Sequence, residues 1–274
     1  MKTISTLLFV FTLLAAGRAR AGETFTLRVE LGPIKGVSSD IRSVTFDQAA
    51  LQKTRRFDIQ DGREHIVRGV SLQDLVSRLK VPRTADTALF VYSDGMQIPV
   101  HLSDRAEAKA VFIAMEEGDA RERFGRTYSV QNKMDLPCPK VVYGRRATTY
   151  SIWLYPTKLE SIRLVTWKMH EALLAQATRS VPDRSGWPLY LQHCQPCHGI
   201  GRQGAVRGPD FLSDMETYRR VAPLAVTDVG QHPSLHEKVK GYTDGTMPVL
   251  NHISNSEIAT LWRWLHTIHT AATR

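Results

Sequence analysis

Cysteine is scarce in this sequence. The chain of 274 residues has three, Cys138, Cys194 and Cys197. A thiolate zinc site would need more of them, or a spaced pair of histidines to complete the ligand set. Beyond the N-terminus no apolar run approaches the roughly 20 residues that cross a bilayer. Dense Lys/Arg runs with interleaved aromatics are missing too, and with them the footprint of a nucleic-acid binder. There are no internal repeats and no low-complexity tracts. What is present is ordinary globular material, 42% hydrophobic and 23% charged, in a length that suits two modest domains.

The first 21 residues read as an export signal. Lys2 gives the positive start, Leu7 to Ala16 the short apolar core, and Ala19-Arg20-Ala21 an A-x-A cleavage site. A mature chain beginning at Gly22, in the periplasm, is expected. The formal charge of +9 then falls by three, as Lys2, Arg18 and Arg20 leave with the signal. The remaining positive balance suits an acidic face on a protein partner, by steering encounter.

Residues 194–198 read Cys-Gln-Pro-Cys-His. In an exported protein C-x-x-C-H is the attachment pattern of a c-type haem. Two thiols two residues apart can each add across one porphyrin vinyl group, and the next residue presents an imidazole to the iron. A thioredoxin-like pair needs no following histidine, and half a zinc site lacks its other half. One covalent haem c is therefore expected, on Cys194 and Cys197, with His198 as an axial ligand.

Residues 22–166 mix strand and helix patterns. Thr24 to Val29 alternates with period two, and Ser43 to Phe46 is a short strand leading to Asp47, which can cap a short helix through Gln52. Arg56 to Ile59 and His65 to Arg68 flank the turn Asp61-Gly62. Ser71 and Asp74 form a capping pair for a helix with Leu72, Leu75, Val76 and Leu79 on one face, ended by Pro82. Thr87 to Tyr92 is a buried strand, and Asp94-Gly95 turns into Met96 to Leu102. Asp104 to Ala114 reads as helix then strand, and Glu116 to Asp119 as a charged loop. Lys140 to Tyr143, Thr148 to Trp153 and Leu159 to Trp167 complete the unit.

The order Gly69 to Leu75, then Tyr92-Ser93-Asp94-Gly95 with Ile98-Pro99, then Trp153 to Leu164, resembles the sulfite-oxidase-like molybdopterin-binding domain in its short, divergent members. That family holds molybdenum through a cysteine in a segment close to Cys-x-Gly-Asn-Arg, and no such segment occurs here. Cys138, in Asp135-Leu136-Pro137-Cys138-Pro139, is the one candidate thiolate and stands late in the domain. Flanking prolines suit an extended loop, whether or not it presents a ligand. The resemblance implies this fold with molybdopterin absent. His65, His101, the pair Arg145-Arg146, Trp153 and Tyr155 read as surface or core residues rather than a site.

Residues 167–183 read as a linker: Met169 to Arg179 is helical in composition, and Ser180 to Gly186 breaks it. Residues 184–274 resemble a small class I cytochrome c. Trp187 to Gln192 is the expected first helix, with Pro188 in its first turn. Gly199, Gly201 and Gly204 let the backbone pass close to a porphyrin edge. Gly208-Pro209-Asp210-Phe211-Leu212 matches the family's Gly-Pro segment, which implies that the Pro209 carbonyl accepts a bond from the His198 imidazole. Met247, in Gly245-Thr246-Met247-Pro248, is the implied second axial ligand. Its rivals are Met215 and the histidines at 193, 232, 236, 252, 266 and 269. Ser254 to Glu257 is a capping box for a last helix whose stripe is Ile258, Leu261, Trp262, Leu265 and Ile268. Trp262 reads as core, and Trp264, off the stripe, as exposed, either docking a partner or in ordinary rim packing.

Together these readings give an α+β sulfite-oxidase-like domain over 22–166 followed by an all-α cytochrome c domain over 184–274. The expected function is single-electron transfer to or from a periplasmic redox protein or oxidoreductase. The first domain would serve docking or assembly, and no residue is assigned a catalytic role. The alternative is a haem–molybdopterin dehydrogenase of sulfite-oxidising type, with catalysis in the first domain.

Overall fold

A computed structural model describes residues 24–32, 34, 40–47, 50–58, 63–104, 108–109, 111–117, 126–129, 134–137, 139–143, 158–213 and 253–272. The export signal, Cys138, Met215 and Met247 lie outside the described residues.

Alternating strands supply most of the framework. Strands β1 (Thr24–Leu31), β2 (Asp40–Asp47), β5 (Thr87–Tyr92), β6 (Gln97–His101) and β11 (Leu159–Val165) form a five-stranded sheet in the order β2-β1-β11-β5-β6. Only the β1–β11 pairing is parallel, so the last strand of the unit returns to the middle of the sheet beside the first. Strands β3 (Gln52–Asp58), β4 (Arg63–Ser71), β7 (Val111–Glu117) and β10 (Lys140–Tyr143) form an antiparallel four-stranded sheet, β10-β7-β4-β3. A separate ribbon pairs β8 (Arg126–Ser129) with β9 (Met134–Pro137). At the β4–β7 bulge the backbones come so close that a Cβ on Gly69 would overlap the Ile113 carbonyl, so only glycine fits there.

Helix α1 (Leu72–Arg78) starts as its capping pair predicts. The Ser71 hydroxyl accepts the Asp74 N–H at 3.0 Å and donates to the Asp74 carboxylate at 2.7 Å. Leu72 and Leu75 join Val29, Phe90, Ile98 and Ile162 in the first core.

Beyond β11 the chain forms α2 (Trp167–Leu174), a 3₁₀ turn (Ala175–Thr178), the single turn α3 (Trp187–Leu189) running into a π-turn (Tyr190–Cys194), and α4 (Asn255–Ala272). Residues 167–183 are packed rather than extended: Leu174 and Val181 are buried with Trp187, Tyr190, Leu261 and Trp264 in a second core. The α4 capping box is formed, with Ser254 N–H on the Glu257 carboxylate at 2.8 Å and Glu257 N–H on the Ser254 hydroxyl at 3.3 Å.

This architecture overturns the expected fold class, an α+β domain followed by an all-α cytochrome c domain. The described residues are mostly β-sheet, in two main sheets with four helices of which three are short, and among the described residues the sheets are not followed by an all-α domain. The reason is local. Gln52 opens β3, where a helix from Asp47 was expected. Val111 to Ala114 forms the strand expected there, paired with β4 and β10, but Glu116 and Glu117, expected as a charged loop, continue it. Sheet pairing outweighs short stretches of helical composition. In the later segment, positive φ at Gly201, Arg202 and Gly204 turns the chain repeatedly and leaves no room for regular helix between Cys197 and Pro209.

Candidate haem-attachment site

The site is built on one tight turn. Pro188 sits at the start of α3, where its missing N–H costs nothing. The π-turn then carries the Tyr190 carbonyl to the Gln195 N–H at 2.8 Å. Cys194 O accepts from both Cys197 N–H (3.0 Å) and His198 N–H (2.8 Å). These bonds bring both thiols and the imidazole onto a single turn. Tyr190 locks it from beneath, donating its hydroxyl to His198 O at 3.0 Å while its ring stacks on Trp187.

A returning segment fixes the imidazole. Gly208 N–H donates to Cys197 O at 2.7 Å, and the next carbonyl, Pro209 O, lies 2.9 Å from His198 Nδ1. A carbonyl can only accept, so Nδ1 carries the proton and Nε2 keeps the lone pair. Burial lowers the His198 pKa, against smaller opposing effects of the Pro209 bond and Asp210. The ring is therefore neutral at pH 7, the form that can ligate a metal. Phe211 stacks on it at 4.7 Å with planes 16° apart. Gly208 lies so close beneath that an added Cβ would sit 2.6 Å from Nδ1 and 2.8 Å from Nε2.

Asp210 ties the returning segment together, a role not read from the sequence. One carboxylate oxygen accepts from the N–H groups of Gly201 (3.1 Å), Leu212 (2.9 Å) and Ser213 (2.8 Å), and from the Ser213 hydroxyl. The other accepts from Arg202 N–H at 2.7 Å. Burial raises the Asp210 pKa, but the bonds from Ser213, Leu212 and Arg202 outweigh it and hold the carboxyl below the ordinary 3.8.

Asp210→Asn would set an amide N–H₂ against a backbone N–H, and is expected to cost about 2 kcal/mol, read as a lower urea midpoint. The sign with pH follows from the depressed value. The Asp210 contribution is complete above 3.8 and is lost as pH falls through the lower folded-state value. Below that, variant and wild type should converge.

Cys194 and Cys197 are free thiols. Burial pushes Cys194 up to about 12 and Cys197 up to about 11. Both are protonated at neutral pH, unlike the depressed thiolate of a disulfide-exchange enzyme.

Of the residues expected from sequence, Cys194, Cys197, His198 and Pro209 come together here, and Met247 lies outside the described residues. His193 is buried and His266 exposed. Trp262 is buried with its ring edge toward Phe211, 6.4 Å away. Trp264, read as exposed or as rim packing, is fully buried against Trp187 and Tyr190. His101 lies with its Nδ1 3.0 Å from the Thr87 hydroxyl. Among the described residues no group of three or more His, Cys, Asp or Glu is arranged to hold a metal ion, and no helix is long and apolar enough to cross a membrane. Comparison with protein-family models, with curated proteins and with solved structures finds no match to this chain.

Proposed function

We propose that this chain is an exported c-type cytochrome that passes single electrons to or from a partner oxidoreductase. One observation carries the reading. Immediately after two free thiols in C-x-x-C-H spacing stands a buried, neutral imidazole whose Nδ1–H is fixed by Pro209 O at 2.9 Å. Such an orienting bond sets the tautomer of an iron-ligating histidine and raises its basicity.

The neighbouring residues fit a covalent haem. The donor set is two vinyl-reactive thiols and one nitrogen lone pair. Aromatic faces surround it in Phe211, Tyr190 and Trp262. Two buried polar groups, the Gln195 side-chain amide and the Trp262 indole N–H, have no hydrogen-bond partner among the described residues. Such orphans suit a bound group with a polar rim. Cys194 and Cys197 would hold the haem, His198 would ligate its iron, and Met247 remains the proposed second ligand. When bound, the haem supplies one-electron chemistry at iron. The protein orients the imidazole, packs the turn beneath it and keeps water from its buried face. The positive balance of the sequence supports an acidic partner face.

The test is the mature protein made in a host that attaches c-type haem. One haem per chain, retained through denaturation with both thiols blocked, is expected, with a reversible change in absorption on reduction. A colourless protein in which the thiols of Cys194 and Cys197 titrate along with that of Cys138 would overturn the proposal. Molybdenum measured on the same sample should be absent.

A further inference from the structure

The two cysteines of the motif belong to different cores. Cys194 is buried in the second, while the Cys197 side chain packs against the first, that of the sheet unit. The contact is made by the turn between β5 and β6. Gln97 N–H donates to Pro196 O at 2.9 Å, and the Gln97 side-chain amide donates to Gly204 O at 3.0 Å. Val206 N–H donates to Gly95 O at 3.1 Å. The Arg207 guanidinium meets the Asp94 carboxylate at 2.9 Å, with both side chains about four-fifths buried. Gly95 has φ +85, and a Cβ there would lie 2.6 Å from Val206 and 3.0 Å from the Arg207 nitrogen. The turn therefore seats backbone to backbone on the segment that runs from Pro196 to Arg207.

We infer that the Asp94–Gln97 turn is the wall of the haem site on the Cys197 side. It positions the loop that carries Cys197 and His198, and it covers that side of the site. Asp94, Gln97 and Arg207 are positioning residues, acting through the loop. This inference rests on the proposed haem attachment. It also gives the sheet unit a role in the same chain: it closes one approach to the haem, so an external partner docks elsewhere. The physical basis is that paired, partly desolvated charges and bonds to backbone carbonyls resist local opening better than exposed ones do.

Two variants of the full mature chain test it. Asp94→Asn/Arg207→Gln removes the ion pair without changing net charge. Gln97→Leu removes only the side-chain bond to Gly204. Hydrogen exchange read at Gln97, Val206 and Gly208 should quicken about tenfold in each, while amides within α4 stay unchanged. Haem remains attached, and the midpoint potential falls, because water admitted to the site favours the more charged ferric state. Unchanged exchange at Gly208 with an unchanged potential would overturn the inference. So would equal acceleration at every amide, since that marks a general loss of stability. A wild-type protein without covalent haem defeats the functional proposal alone, and the exchange data then still decide whether the turn holds the loop.

Discussion

Serine at both Cys194 and Cys197 should yield a protein that surrenders all of its haem to acid extraction, whereas the wild type surrenders none. A serine hydroxyl is nearly isosteric with the thiol, so the turn itself should survive. Its bonds run between backbone atoms, from Cys194 O to Cys197 and His198 N–H and from Gly208 N–H to Cys197 O. A hydroxyl does not add across a vinyl group under the conditions that form a thioether, so the covalent link is lost while the imidazole stays in place. Each single serine variant leaves one possible bond and should retain haem in part. His198→Ala gives the complementary result: the thiols still attach haem, but the orienting bond to Pro209 and the stack on Phe211 disappear. That variant keeps its covalent pigment and loses the spectrum of a six-coordinate iron. A heme stain after denaturing electrophoresis and an oxidised-minus-reduced spectrum separate the two outcomes. A double-serine protein that still carried covalent haem would refute the assignment of both thiols.

The parts of this site that were legible in the sequence are those encoded by spacing. Cys194, Cys197 and His198 fall within five residues, and the return at Gly208-Pro209 is a short loop away. The capping pairs Ser71/Asp74 and Ser254/Glu257 are likewise local, and both form as expected. What was not legible depends on contacts between distant stretches. Nothing near Arg207 in the chain points to Asp94, and nothing near Gln97 points to Gly204. Asp210 was seen only as a member of a Gly-Pro segment, because its five bonds follow from loop geometry rather than residue type. Glu116 and Glu117 read as loop because two adjacent carboxylates carry no apolar alternation. Their partners in β4, Arg68 and Val67, make them the end of β7. Cross-strand pairing of this kind, there and at Gln52, outweighs the local reading.

Trp264→Ala should be the most destabilising single substitution outside the attachment turn, at about 3–5 kcal/mol. Sequence placed Trp264 off the apolar stripe of the last helix, yet it is the largest fully buried side chain in the described structure. The stripe reading assumed that α4 buries one narrow face, but Trp262, Trp264 and Leu265 are all inside. The indole meets Trp187 at 5.8 Å and Tyr190 at 6.0 Å, and its N–H donates to Asp183 O at 3.1 Å. Gly186 leaves just enough room for it, since a Cβ there would come within 2.8 Å of the ring. Alanine opens a cavity under α3 and leaves the Asp183 carbonyl without this donor. Trp264→Phe refills most of the volume but not the hydrogen bond, so it should recover more than half of the loss. Urea denaturation of the three proteins measures both steps. The damage should also reach the C-x-x-C-H turn, because Tyr190 joins the Trp264 contact to the bond on His198 O. A Trp264→Ala protein as stable as the wild type would mean that α4 does not pack on the attachment turn as described.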